Sequence, residues 1–349
     1  MLTRRDFLRL IPPAALVAST RAAEAPAFGR IDTHLHIERD APPVVDALKA
    51  SNWRGLNIAD CRTVADEPSG LEEMLRSTLK VQRESGGSLA WASTFDARGF
   101  EAPGFVDRTI ADLRRTFDDG AIAVKVWKNV GMAIKSKSGA YLLPDDPALL
   151  PVYEATQKAD RTLLAHLAEP TGAWLPLGPG NPENGYYSNN PQWHMFGKPG
   201  APSKETILTA RDRVLARYPK LRVVGCHLGS NEDDLKLLAK RLDAHPNFSV
   251  DLASRIRYFV TGDRDQVREF LTRYQDRILY ATDFSYRGGD ASASARSLQS
   301  THDRDWDFFS RGDMVKYGAR QTQGLGLPEA VLVKIFRENA LRALPGFNA

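Results

Sequence analysis

Short apolar runs alternate along the chain with longer segments in which apolar positions recur every three to four residues. A brief, mostly apolar run fits a strand covered on both faces, and the longer period fits a helix with one buried stripe. The runs that predict strands are 30–37, 54–60, 88–95, 121–127, 162–167, 221–227, 248–252 and 277–282. Helical periodicity falls on 71–84, 105–117, 147–159, 204–218, 232–244, 264–274 and 328–344. Asp146-Pro147 and Ser203-Lys204 read as helix starts, because Asp and Ser offer a side-chain oxygen to the first free N–H groups.

Eight such β/α pairs predict an α/β fold, a (β/α)8 TIM-like barrel forming a single domain over residues 26–349. A dinucleotide-binding sheet is disfavoured, since no GxGxxG follows the first strand. Three connections, 128–145, 168–202 and 285–327, exceed the usual few residues and leave the C-terminal ends of strands four, five and eight. Barrel enzymes place their sites on that face, which makes these connections candidates for lids and specificity.

Residues 1–25 are set apart from this pattern. Arg4-Arg5 precede Phe7 and Leu8, an apolar stretch from Ile11 to Ala18 follows, and small residues run to Ala25. That order predicts a twin-arginine signal segment, with the export machinery as a partner and a periplasmic or otherwise exported location. The apolar stretch is shorter than the roughly 20 residues a spanning helix needs, and Pro12-Pro13 interrupts it, so no permanent membrane anchor is expected. Loss of the segment removes Arg4, Arg5, Arg9 and Arg21 against Asp6 and Glu24, lowering the formal charge of +4 by two. No Lys/Arg run with interleaved aromatics remains, so nucleic acid is not expected as a partner. Cys61 and Cys226 lie in apolar strand-like runs and read as small buried hydrophobes, a disulfide depending on a Cα separation under about 7 Å.

The chemistry begins at Ile31-Asp32-Thr33-His34-Leu35-His36. Residues two apart on a strand point to one side, so His34 and His36 can both face the barrel interior and share one metal ion. Two buried histidines otherwise need separate partners for their ring nitrogens. His166, His227 and Asp283 end the apolar runs of strands five, six and eight, so a barrel would bring them towards the same pair. Lys125 sits at strand four, Glu169 three residues after His166, and Arg255 just after strand seven. Glu169 fits either a partner for a ligand histidine or a solvated loop residue; Arg255 fits either a carboxylate clamp or a surface ion pair. Connection 168–202 holds Trp174, Tyr186, Tyr187, Trp193, His194 and Phe196, a density that packs on the barrel rim, lines a pocket, or both. His194 is placed as a substrate contact rather than a metal ligand, and His245 and His302 carry no role.

With these residues in place the chain resembles the amidohydrolase superfamily, and within it the amidohydrolase-related branch called amidohydrolase family 2. The resemblance runs from the His34/His36 strand to Ile335-Phe336-Arg337-Glu338-Asn339-Ala340, which is similar to that family's closing helix. It implies one divalent ion, zinc first with manganese or iron as alternatives, held by His34, His36, His166 and Asp283. Asp283 and His227 are then the catalytic pair, and Lys125, Glu169, Arg255, Trp193 and His194 the substrate-binding candidates. In binuclear relatives a lysine at the position of Lys125 is carbamylated and bridges two metals; a cation for a substrate carboxylate and a structural lysine are the other readings. The implied reaction is hydrolysis of a small-molecule lactone, ester or amide by activated water. A lyase of the same family, decarboxylase or hydratase, is the alternative, followed by a non-catalytic periplasmic binding protein. A homo-oligomer is compatible with all three.

Overall fold

The computed structural model describes residues 26–62 and 69–347; the expected signal segment 1–25 lies outside them. Nine parallel strands form one sheet: β1 (Arg30–Ile37), β2 (Trp53–Ile58), β3 (Leu89–Thr94), β4 (Ala123–Val126), β5 (Thr162–Ala165), β6 (Val223–Gly225), β7 (Phe248–Asp251), β8 (Ile278–Leu279) and β9 (Phe284–Tyr286). Their spatial order is β8-β7-β6-β5-β4-β3-β2-β1-β9. Because β8 and β9 are successive pieces of one passage, the sheet curls back on itself. Thr33 N donates to Tyr280 O at 3.1 Å and Asp283 N to His34 O at 3.0 Å, tying that passage to β1. The architecture is that of a TIM-like barrel, with helices between successive strands.

All eight residues of β1 are buried, as expected of a strand covered on both faces. A Cβ at Gly55 would collide with Leu35, so the close packing of β1 on β2 requires glycine there. Between Asp32 and Leu35 three steps along β1 match two along β2, a bulge that re-aims His34. Asp32, fully buried, accepts from Thr282 Oγ1 at 2.7 Å and pairs with His302 Nε2 at 3.0 Å. His302, given no role from sequence, also stacks on Trp53 at 3.9 Å and so belongs to the strap that holds strand eight beside β1.

Helices Leu71–Glu84, Phe105–Asp118, Lys204–Arg217 and Arg264–Arg273 lie where periodicity predicts them, within a residue at each end. Ser203 caps the third of these by accepting from Thr206 N. The helix expected from residue 147 begins instead at Leu150, since Pro151 rather than Pro147 occupies its first turn. Asp146 Oδ1 accepts from Ala148 N in the turn before it. The helix expected from 232 starts at Leu235, capped by Asp234, which accepts from Leu237 N. The closing helix is a continuous run of Glu329–Val333, Lys334–Glu338 and Asn339–Ala343, with Asn339 Nδ2 donating to Ile278 O at 2.7 Å.

Connection 285–327 is not a loop. After β9 it forms helix Ala291–Ser310, capped by Asp290 accepting from Ala293 N, and an antiparallel hairpin, β10 (Met314–Tyr317) with β11 (Arg320–Gln323). The helix packs on Pro42–Ala50, a helix the periodicity did not reveal. Connection 168–202 keeps only short helical turns, and it buries Tyr187 and Trp193 while leaving Leu177 and Phe196 exposed. Cys61 and Cys226 are buried and neither is in a disulfide, so both act as small hydrophobes. No helix among the described residues is long and apolar enough to cross a membrane.

Candidate active site

The β1 bulge and the β8–β9 passage bring His34, His36 and Asp283 to one point, their ligand atoms all within 4.8 Å of one another. Each histidine has one nitrogen already committed. His34 Nδ1 donates to Asp251 Oδ2 at 2.8 Å, and His36 Nδ1 donates to the Ile58 carbonyl at 2.9 Å. The lone pairs therefore lie on both Nε2 atoms, each 3.5 Å from Asp283 Oδ1. Pinning the far nitrogen in this way fixes tautomer and ring orientation, as metal-binding histidines require. Asp283 sits at a left-handed φ of 68° and its Oδ2 accepts from Ser254 Oγ at 2.8 Å.

His227 also takes a left-handed φ, 58°. Its backbone N donates to Asp251 Oδ1 at 2.7 Å and its Nδ1 to the Ala253 carbonyl at 2.9 Å. Burial and the adjacent His166 push its imidazole well below the usual histidine range, so it is neutral with its lone pair on Nε2. The His166 ring lies 4.2 Å from that of His227. His166 Nε2 is buried without a hydrogen-bond partner, 3.4 Å from Glu169 Oε1, and burial pushes this imidazole down to about 3. His166 lies outside the group of donor atoms within 4.8 Å of one another and reaches it through His227, but a buried, neutral, unpartnered nitrogen suits a ligand for a divalent ion. The donor set of imidazole nitrogens and one carboxylate fits zinc, manganese or iron.

These residues open on a cleft of about 580 Å³ at the C-terminal ends of the strands. Asp283, His227 and His166 line it, joined by Glu169, Arg255 and Lys128. Glu169 forms an ion pair with Lys128 and accepts from Tyr187 OH at 3.2 Å. Burial opposes ionisation of Glu169, while the adjacent Lys128 ammonium outweighs it and keeps its carboxyl well below the usual range. Arg255 Nε donates to Glu232 Oε2 at 3.1 Å, a buried pair on the cleft wall rather than a surface one. Lys128 also donates to Tyr186 OH at 3.0 Å and lies 4.7 Å from the Trp193 ring. Helix Ala291–Ser310 and β10 supply Arg304, Asp305 and Tyr317 to the far wall.

Three residues placed at the substrate from sequence are not part of that wall. Lys125 is buried beneath the cluster, its Nζ 2.8 Å from His34 Nε2. Trp193 is buried and backs Lys128, packing edge-on against Trp127 at 4.9 Å. His194 turns its Nε2 to the Leu175 carbonyl at 2.8 Å. Conversely, sequence reasoning passed over Asp251, Asp60 and Lys128. Asp60 and Asp251 carry the same signal that marked Asp283, an acid closing an apolar run; Lys128 carries none.

Residues 31–346 match the family model described as amidohydrolase. No curated protein matches the chain. Among solved structures it is similar to a dihydroxybenzoic acid decarboxylase from Polaromonas sp. with bound manganese and the inhibitor 2-nitroresorcinol (TM-score 0.54, 13% identity, covering 92% of this chain and 98% of that one). It is also similar to a 2,6-dihydroxybenzoate decarboxylase complexed with 2,6-dihydroxybenzoate (0.52, 14%, 91% and 99%). A third similar structure is a 4-oxalomesaconate hydratase from Rhodopseudomonas palustris (0.50, 14%, 91% and 96%). Identities this low show a shared fold. The family match over nearly the whole chain settles the classification: the chain belongs to the amidohydrolase family.

Proposed function

We propose that the protein is a metal-dependent hydrolase that cleaves a small-molecule lactone, ester or amide, with one divalent ion held by His34, His36, His166 and Asp283. The observation that carries this reading is the convergence of two Nε2 lone pairs and one carboxylate oxygen whose supporting atoms are already pinned. When bound, a divalent ion supplies Lewis-acid polarisation of a substrate oxygen and makes a nearby water more acidic. Zinc is the first choice of element, with manganese and iron also suited to these donors. The ion pair of Lys128 with Glu169 and that of Arg255 with Glu232 orient the substrate's polar end within the cleft.

Asp283, open to the cleft, takes the proton of the attacking water and returns it to the leaving group. His227 cannot donate from Nε2, because its one ring hydrogen is committed to Ala253 O. It therefore orients the water by accepting from it and does not donate to an oxyanion. Residues 1–25 are proposed to direct export by the twin-arginine route.

Decarboxylation is the second reading, favoured by the cations Lys128, Arg255, Arg257 and Arg304 that line the cleft, which suit a substrate carboxylate. The test is a panel of lactones, esters, amides and aromatic acids given to zinc- or manganese-loaded protein, with acid and carbon dioxide measured separately. Acid release without carbon dioxide is expected; carbon dioxide release would replace hydrolysis with the second reading.

A further inference from the structure

Beneath the cleft, one buried cation is ion-paired with Asp60 and lies in the field of Asp251 and Asp283. Lys125, from β4, is 1% exposed, with Nζ 2.8 Å from His34 Nε2 and 3.6 Å from Asp60 Oδ1. Since His34 Nδ1 gives its hydrogen to Asp251, His34 Nε2 is an acceptor and the Lys125 ammonium donates to it. That lone pair is the one the proposed ion needs. Asp60 is in the opposite condition. Its Oδ2 accepts from Arg62 at 3.0 Å, but its Oδ1 is buried with no hydrogen-bond partner. One ammonium thus faces two acceptors, hydrogen-bonding one and only ion-pairing with the other at 3.6 Å, and a buried carboxylate oxygen without a hydrogen bond is unfavourable.

We propose that Lys125 is a positioning residue that stands in for the ion at His34, and that its hydrogen bond passes to Asp60 Oδ1 when the ion arrives. This rests on the reading of His34, His36 and Asp283 as an ion site. Lys125 keeps its proton and its charge throughout, and only the acceptor changes. In the ion-free protein the ammonium offsets Asp60, Asp251 and Asp283 and holds His34 in place. With the ion bound, Asp60 gains the partner it lacks. Lys125 is thereby a competitor of the ion and Asp60 is what draws that competitor away. Their substitutions must move ion affinity in opposite directions, whereas two structural residues would both weaken it.

The test is calorimetric titration of chelator-stripped protein with Mn2+, for wild type, Lys125→Met, Asp60→Asn and the double variant, beside melting curves with and without Mn2+. Lys125→Met is expected to bind Mn2+ about tenfold more tightly and Asp60→Asn about tenfold more weakly. In the Lys125→Met background the Asp60→Asn effect should vanish, since no ammonium remains to be drawn away. Lys125→Met should also melt lower than wild type without Mn2+ and recover most of the difference with it. Weaker or absent Mn2+ binding by Lys125→Met overturns the proposal and marks the lysine as a ligand; if that variant does not fold, unchanged Mn2+ affinity in Asp60→Asn overturns it alone. Wild type that binds neither Mn2+ nor Zn2+ sinks the ion site itself, while wild type that binds beside unchanged variants sinks only the role of Lys125.

Discussion

What each histidine of the cluster can do is decided by where its second nitrogen is tied. His34 and His36 have Nδ1 bound to Asp251 and to the Ile58 carbonyl, and His227 has Nδ1 bound to the Ala253 carbonyl. Asp251 does the most of any supporting residue, since it also accepts from the backbone N of His227 and Ala253. Asp251→Ala is expected to lower Mn2+ affinity about 10- to 100-fold, read by calorimetric titration, the range typical of losing such a support. Unchanged affinity would show that His34 needs no anchor. The meeting of His34, His36 and Asp283 was legible in sequence, the histidines from their two-residue spacing on one strand and the acid from its place at the end of an apolar run. The work of Asp60 and Asp251 was not, because it depends on neighbours across the barrel. Lys128 was hidden for the same reason, its partners Glu169 and Tyr186 lying 41 and 58 positions away.

At the scale of elements, four strand-end connections hold non-glycine residues in the left-handed region: Ala168 at φ 64°, His227, Leu228 and Ser230 at 58°, 56° and 58°, Ser254 at 56° and Asp283 at 68°. Each such residue costs on the order of 1–3 kcal/mol, and the four connections follow β5, β6, β7 and β8, whose ends line the cleft. Strain of this kind collects where side chains must be aimed rather than merely buried. The strands themselves were readable from their apolar runs. Helix Ala291–Ser310 was not, because its first turns are Ala and Ser and its buried face, with Leu298, His302, Trp306 and Phe309, begins late. On the outer layer, Asp212 joins helices Lys204–Arg217 and Leu235–Ala244 by accepting from Arg211 Nη2 and Arg241 Nε, both at 2.8 Å. Burial opposes ionisation of Asp212, and Arg211 and Arg241 outweigh it, so its carboxyl titrates below its ordinary 3.8. A folded-state value lower than the unfolded one gives stability that is complete above 3.8 and fades as pH falls through the folded value. The melting-temperature difference between wild type and Asp212→Asn should therefore be constant near neutrality and shrink below about pH 4. A difference that grew on acidification would reverse the sign of the argument.

For the whole molecule, the broken passage from β8 to β9 both curls the sheet and delivers Asp283 to β1. The closing helix seals the same junction through Asn339, and the Asp32–His302–Thr282 strap holds it from within. Alternating pattern predicted the order of β/α units, but closure could not be read from it, since it rests on single hydrogen bonds between residues some 250 positions apart. The central claim is that this closure assembles a site for one divalent ion. It is tested most directly by elemental analysis of purified protein after incubation with Zn2+, Mn2+ or Fe2+ and removal of excess. About one equivalent of one of these metals per chain is predicted for wild type, lost in the His34→Ala/His36→Ala variant while its circular dichroism stays native. A variant that keeps the full complement of metal, or a wild type that retains none, would contradict the account.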